Sequence, residues 1–97
     1  ILCGCGGLDG TEISECVSLV INLSLNNFQP KFFAPDVEIC GVVDHLTKEP
    51  DPCGTPRNAL VEAARLARSS IKSICDCKAT CAEALIIPGG FGAARTL

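Results

Sequence analysis

Methionine, tryptophan and tyrosine are absent from these 97 residues, and the chain opens on Ile1, which is not a translation start. Both features lead us to expect a segment of a longer protein. Basic residues are in short supply as well: eight Lys and Arg stand against eleven Asp and Glu, a formal charge of −3. A nucleic-acid surface needs clustered cations, so that class of partner is not expected. No apolar run approaches the ~18 residues of a membrane helix, so no membrane association is expected. No signal or transit peptide is visible. The length suits one small domain and excludes two.

Cysteine, by contrast, is abundant, with eight residues at a density near that of a disulfide-stapled miniprotein. Such scaffolds usually lack aliphatic residues at helical and strand spacing, which are plentiful here. Cys3, Cys16 and Cys40 fall inside apolar elements, where a thiol acts as a small core residue. Free, mostly buried thiols are therefore expected. Cys75, Cys77 and Cys81 form a Cys-x-Cys-x3-Cys run able to meet a thiophilic metal. It lacks a fourth ligand and a Cys-x2-Cys pair, so no metal site is assigned.

Along the chain, residues 1–3 read as the end of a buried strand running into the turn Gly4-Cys5-Gly6-Gly7. A helix follows, with Asp9 as cap and Glu12 at capping-box spacing. Ile13, Cys16, Val17, Val20 and Leu23 would form its apolar face, and Asn26-Asn27 its stop. Residues 28–34 read as a second strand, demoted toward an edge by Pro30 and halted by Pro35-Asp36. Residues 37–44 form either a short strand or an excursion hairpin, and the Pro-rich stretch 45–56 a loop. Thr55-Pro56 resembles a helix start, with Leu60, Val61, Ala64, Ala67 and Ile71 as the buried face. Residues 84–87 read as an apolar strand breaking into Pro88-Gly89-Gly90-Phe91-Gly92, where another helix begins. This order is that of a parallel α/β sheet, whose sites form at the carboxyl ends of the strands. Both glycine-rich turns would lie there, bordering one pocket.

Gly4 and Gly6 suggest a dinucleotide loop, but position 9 carries Asp where the third glycine belongs. Asp9 and Glu12 would also repel a pyrophosphate at the helix start, so no cofactor is expected. The Pro-Gly-Gly turn can bare backbone N–H groups able to stabilise an oxyanion, although a tight strand-to-helix turn explains the same residues. Glu15 lies off the apolar face of its helix, as a solvated first-turn carboxylate would. His45 is read as a loop residue that Asp44 could orient.

More specific is the ordered set Gly-Cys-Gly-x-x-Asp-Gly-Thr-Glu-Ile-x-Glu at 4–15, Phe-Ala-Pro-Asp at 33–36, Asp44-His45, Arg57-Asn58, Glu62-x-Ala64-Arg65-x-Ala67-Arg68 and Pro-Gly-Gly-Phe-Gly-Ala-Ala at 88–94. Together these resemble the ElbB-like family and its mitochondrial relatives, within the PfpI and class I glutamine-amidotransferase-like superfamily. The resemblance spans essentially all 97 residues and implies the N-terminal part of a single amidotransferase-like domain. Two departures stand out. Gly7-Leu8 replaces a commonly bulkier pair, and Arg95-Thr96 a frequent Lys-Asn.

The resemblance implies an α/β flavodoxin-like fold, a partial parallel sheet with helices on both faces. A nucleophilic cysteine would lie beyond residue 97. Glu15 would be the glutamate set against that cysteine, with Glu12 as runner-up. The Gly90 N–H would face the oxyanion, and Gly89 and Gly6 would border the substrate. The implied chemistry is of glyoxalase type on a small-molecule carbonyl, with no cofactor, in a homodimer that is mitochondrial in a eukaryote and cytoplasmic in a bacterium. A catalytically silent binding or regulatory protein and a thiol-rich metal or redox module are the alternatives. The segment alone is expected to be inactive.

Overall fold

The structure is a computed structural model that describes residues 10–39 and 41–97. The expected first strand at 1–3, Asp9 and the glycines at 4, 6 and 7 lie outside them. The first described helix, α1, spans Ile13–Leu25. Its cap is Glu12 in place of Asp9: the Glu12 side chain accepts the Glu15 N–H at 2.6 Å. The stop is as read, with Asn26 at the C-cap and Asn27 left-handed at φ 60°.

Strand β1 spans Phe32–Ala34, a shorter strand than the expected 28–34. Next come β2, Glu38–Ile39, and β3, Arg57–Asn58, which pair antiparallel. An isolated bridge joins Val43 to Pro50 between them. The excursion hairpin expected over 37–44 therefore reaches to Asn58 and takes in the stretch 45–56 expected as a loop. It interrupts the crossover from β1 to β4, Ile71–Ser73, which pair in parallel with Phe32 opposite Ile71 and Ala34 opposite Ser73.

Helix α2, Ala59–Ala67, makes that crossover. Thr55-Pro56 does not begin it. Pairing with β2 holds Arg57 and Asn58 extended, and the Asn58 side chain then caps the helix through the Val61 N–H at 3.0 Å. The buried face is correspondingly rotated. Ala59, Ala63 and Ala67 are buried, Leu60 and Leu66 partly so, and Val61 faces outward. Ile71 leaves the expected helix face altogether and becomes the first residue of β4. A core of Cys16, Ala34, Ile39, Ala59 and Ala63 draws in Leu19, Val20, Leu23, Phe32 and Ile71.

Beyond β4 come two short 3-10 turns, Ile74–Asp76 and Ala79–Cys81, and finally α3, Phe91–Thr96, the helix expected after the Pro-Gly-Gly turn. Among the described residues, 84–87 form no strand. Among the described residues none pairs with them, and Leu85 and Ile87 are exposed. A strand exists only where a neighbour completes its ladder. No helix of the described residues is long and apolar enough to cross a membrane.

Candidate functional site

The first turn of α1 and the Pro-Gly-Gly turn, 74 residues apart in sequence, are joined by hydrogen bonds. Gly89 donates its N–H to Glu15 Oε2 at 2.6 Å, and its carbonyl accepts the Glu12 N–H at 2.8 Å. A third bond runs from the Gly92 N–H to the Gly10 carbonyl at 2.9 Å. Glycine is required for this approach at 90 and 92, where the neighbours are backbone, while at 89 the neighbour is the Glu15 carboxylate. A Cβ at 89 would stand 2.6 Å from Glu15 Oε2, one at 92 would stand 2.5 Å from the Gly10 carbonyl carbon, and one at 90 would press on the Gly10 carbonyl oxygen. Gly90 also has φ 108°, a conformation that side chains resist.

The two glutamates of α1 are thereby given different tasks. The Glu12 carboxylate is engaged by the Ser14 hydroxyl at 2.7 and 2.8 Å and by the Glu15 N–H. These contacts, the Ser14 hydroxyl foremost, hold its pKa below the usual value. Glu15 projects from the exposed flank of the helix and is anchored through one oxygen only. Its Oε1 has no hydrogen-bond partner among the described residues. The Gly90 N–H is likewise without an acceptor among them. A carboxylate oxygen and an uncommitted backbone donor, on turns held together by glycine contacts, are parts suited to proton transfer and to stabilising a developing oxyanion. Gly89 serves here as the anchor of Glu15, and Gly6 lies outside the described residues.

The other sequence candidates do not join this cluster. Asp44 does not orient His45, because its Oδ1 accepts the N–H groups of Leu46 at 2.8 Å and Thr47 at 3.4 Å to close a local turn. Among the described residues, Cys16, Cys53, Cys75, Cys77 and Cys81 form no disulfide. Only Cys16 among them is buried, whereas Cys53, Cys75 and Cys77 are exposed because they sit on surface turns. Among the described residues no three His, Cys, Asp or Glu side chains converge as a metal site. Sequence reasoning missed Gly10 as the surface on which Gly90 and Gly92 rest. Its signal was the spacing of Gly90 and Gly92, two small residues that flank a helix start.

The human mitochondrial glutamine amidotransferase-like class 1 domain-containing protein 3 is 43% identical to this chain over 97 residues. The zebrafish mitochondrial ES1 protein is 30% identical over 101 residues. The crystal structure of an isoprenoid biosynthesis protein with an amidotransferase-like domain, from Ehrlichia chaffeensis, superposes with a TM-score of 0.84 at 42% identity over 94% of this chain. The chain belongs to the amidotransferase-like family of these proteins. No family model matches it. This amidotransferase-like chain spans 36% of the human relative, 37% of the zebrafish one and 42% of the Ehrlichia protein. Its β1–α2–β4 unit belongs to the α/β, flavodoxin-like architecture of the family, and the antiparallel excursion of β2 and β3 is inserted between strand and crossover helix.

Proposed function

We propose that this chain supplies the carboxylate and backbone-donor part of a cysteine-dependent site acting on small reactive carbonyls, with the nucleophilic thiol provided outside this stretch. The contact between the Gly89 N–H and Glu15 carries the reading, because it fixes one carboxylate oxygen and leaves the other to handle a proton. In chemistry of this glyoxalase type a thiol adds to the aldehyde carbon of a 2-oxoaldehyde. A C–S bond forms, and the carbonyl electron pair moves to oxygen. Gly90 is the donor for that oxygen. Glu15 takes the carbon-bound proton of the adduct and returns a proton to the neighbouring carbon. Water then breaks the C–S bond and releases a 2-hydroxy acid. Reactant plus water equals product, so the cycle calls for no redox cofactor. The protein would act as a homodimer, mitochondrial in a eukaryote, as the names of the human and zebrafish relatives suggest, and cytoplasmic in a bacterium.

The test is methylglyoxal turnover by the full-length protein. Glu15→Gln is expected to lower the rate by ~10²-fold or more with the fold intact, and Glu12→Gln to do much less. Equal turnover by wild type and Glu15→Gln would overturn the assignment.

A further inference from the structure

A concave feature adjoins the Glu15 contact at Gly10 and Thr11 and is otherwise built from other residues. It is a cleft of about 820 Å³ between α2, the excursion, and the chain entering α1 at Gly10 and Thr11. Ile39, Val42, Val43 and Leu66 give it an apolar wall. Its charge runs against that of the molecule. In a chain of net charge −3, the described residues that line the cleft include Arg57, Arg65 and Arg68, with Glu62 as the one carboxylate among them. Arg57 and Arg65 share a single oxygen of Glu62, at 3.9 and 3.5 Å. Arg68 has no ion-pair partner among the described residues. Among the described residues, three guanidiniums stand against one carboxylate beside apolar surface.

The backbone at this edge departs from local rule. Arg68 and Ser69 are both left-handed, at φ 54° and 71°, where α2 stops, and the Ser69 N–H closes on the Ala64 carbonyl at 3.0 Å. Glycine is the residue that takes such a stop without steric cost, and α1 uses the next most tolerant one, Asn27. Keeping arginine there forgoes helix-stop stability and sets a guanidinium at the cleft. Local conformational cost of this kind concentrates at functional positions.

We infer that this cleft binds a small organic anion, its carboxylate or phosphate group held by Arg65 and Arg68 and its short apolar body against Ile39, Val42, Val43 and Leu66. Guanidinium forks match both oxyanions, and the apolar wall selects for a carbon body behind the charge. The inference is independent of the carbonyl chemistry proposed above, since it concerns binding alone and other residues.

Calorimetric titration of the full-length protein with inorganic phosphate, acetate and butyrate, each against chloride at equal ionic strength, tests it. Saturable binding of phosphate, or of butyrate more tightly than acetate, is expected, and the probe that binds identifies the head group. Arg68→Gly is expected to weaken that binding by about tenfold or more while the thermal midpoint holds or rises, because glycine relieves the left-handed stop. Arg65→Gln, at a largely exposed side chain, is a second variant expected to weaken it without affecting folding. No binding beyond that of chloride, or wild-type binding by both variants, would overturn the inference.

Discussion

Helices α1 and α2 each carry an apolar stripe at four-residue spacing, with opposite fates. On α2 the stripe is Ala59, Ala63 and Ala67, and it is buried to 0%, 0% and 6% exposure. On α1 it is Ile13, Val17, Ile21 and Leu25, and every one of these is more than 40% exposed. Side-chain hydrophobicity alone would order them the other way. The alanines are inside because α2 crosses between paired parallel strands, and a small residue lets its backbone come close to β1 and β4. On α1 the inward face is a different one, built around Cys16 with Leu19, Val20 and Leu23. Size and proximity decide burial here, and apolarity only permits it.

The largest expected effect follows from that closeness. Ala63→Leu should cost about 1–3 kcal/mol in chemical denaturation, since the added methylenes have no space to enter. Little or no loss would mean that α2 stands further from the sheet than its alanine stripe implies.

The two helix caps sharpen the contrast. Asn58→Ala should cost about 1 kcal/mol, by loss of the Val61 cap. It also loses the 2.7 Å bond from the Asn58 amide to Asp36 Oδ1. The capping acceptor itself is a neutral amide oxygen. The α1 cap is a carboxylate whose folded pKa lies below the ordinary value of 4.5. Its contribution is therefore complete above about pH 4.5 and fades as the pH falls through the lower folded value. Amide protection in the first turn of α1 should drop over that window, and Glu12→Gln should remove the acid dependence.

The smallest effect belongs to the outer stripe of α1. Ile21→Ser, at a residue 53% exposed, should change stability by less than about 0.5 kcal/mol. A much larger loss would show that this stripe is covered in solution and that the two helices are less different than they look.

Features that depend on sequence neighbours were legible without coordinates. Asn26-Asn27 stops α1, Pro35-Asp36 stops β1, and the Pro-Gly-Gly turn leads into α3, each because the local residues allow few other backbone conformations. The parallel α/β order and the off-face placement of Glu15 came from hydrophobic spacing. The excursion could be narrowed to two forms, a strand or a hairpin. The bare resemblance of motifs pointed to the family.

Tertiary structure decided the rest, because strands and close approaches need a partner that no local pattern contains. Arg57 and Asn58 are strand and cap rather than helix because β2 pairs with them, which moves the start of α2 and rotates its buried face. Ile71, at helical spacing from Ala67, becomes strand because β1 lies beside it. Residues 84–87, apolar enough to be a strand, are none among the described residues for want of a ladder. The sequence alone determined that Glu15 and the Pro-Gly-Gly turn exist and that each lies at a turn. Only the fold brought them together, setting the Gly89 N–H 2.6 Å from the Glu15 carboxylate across 74 residues, because Gly90 and Gly92 permit backbone to meet backbone there.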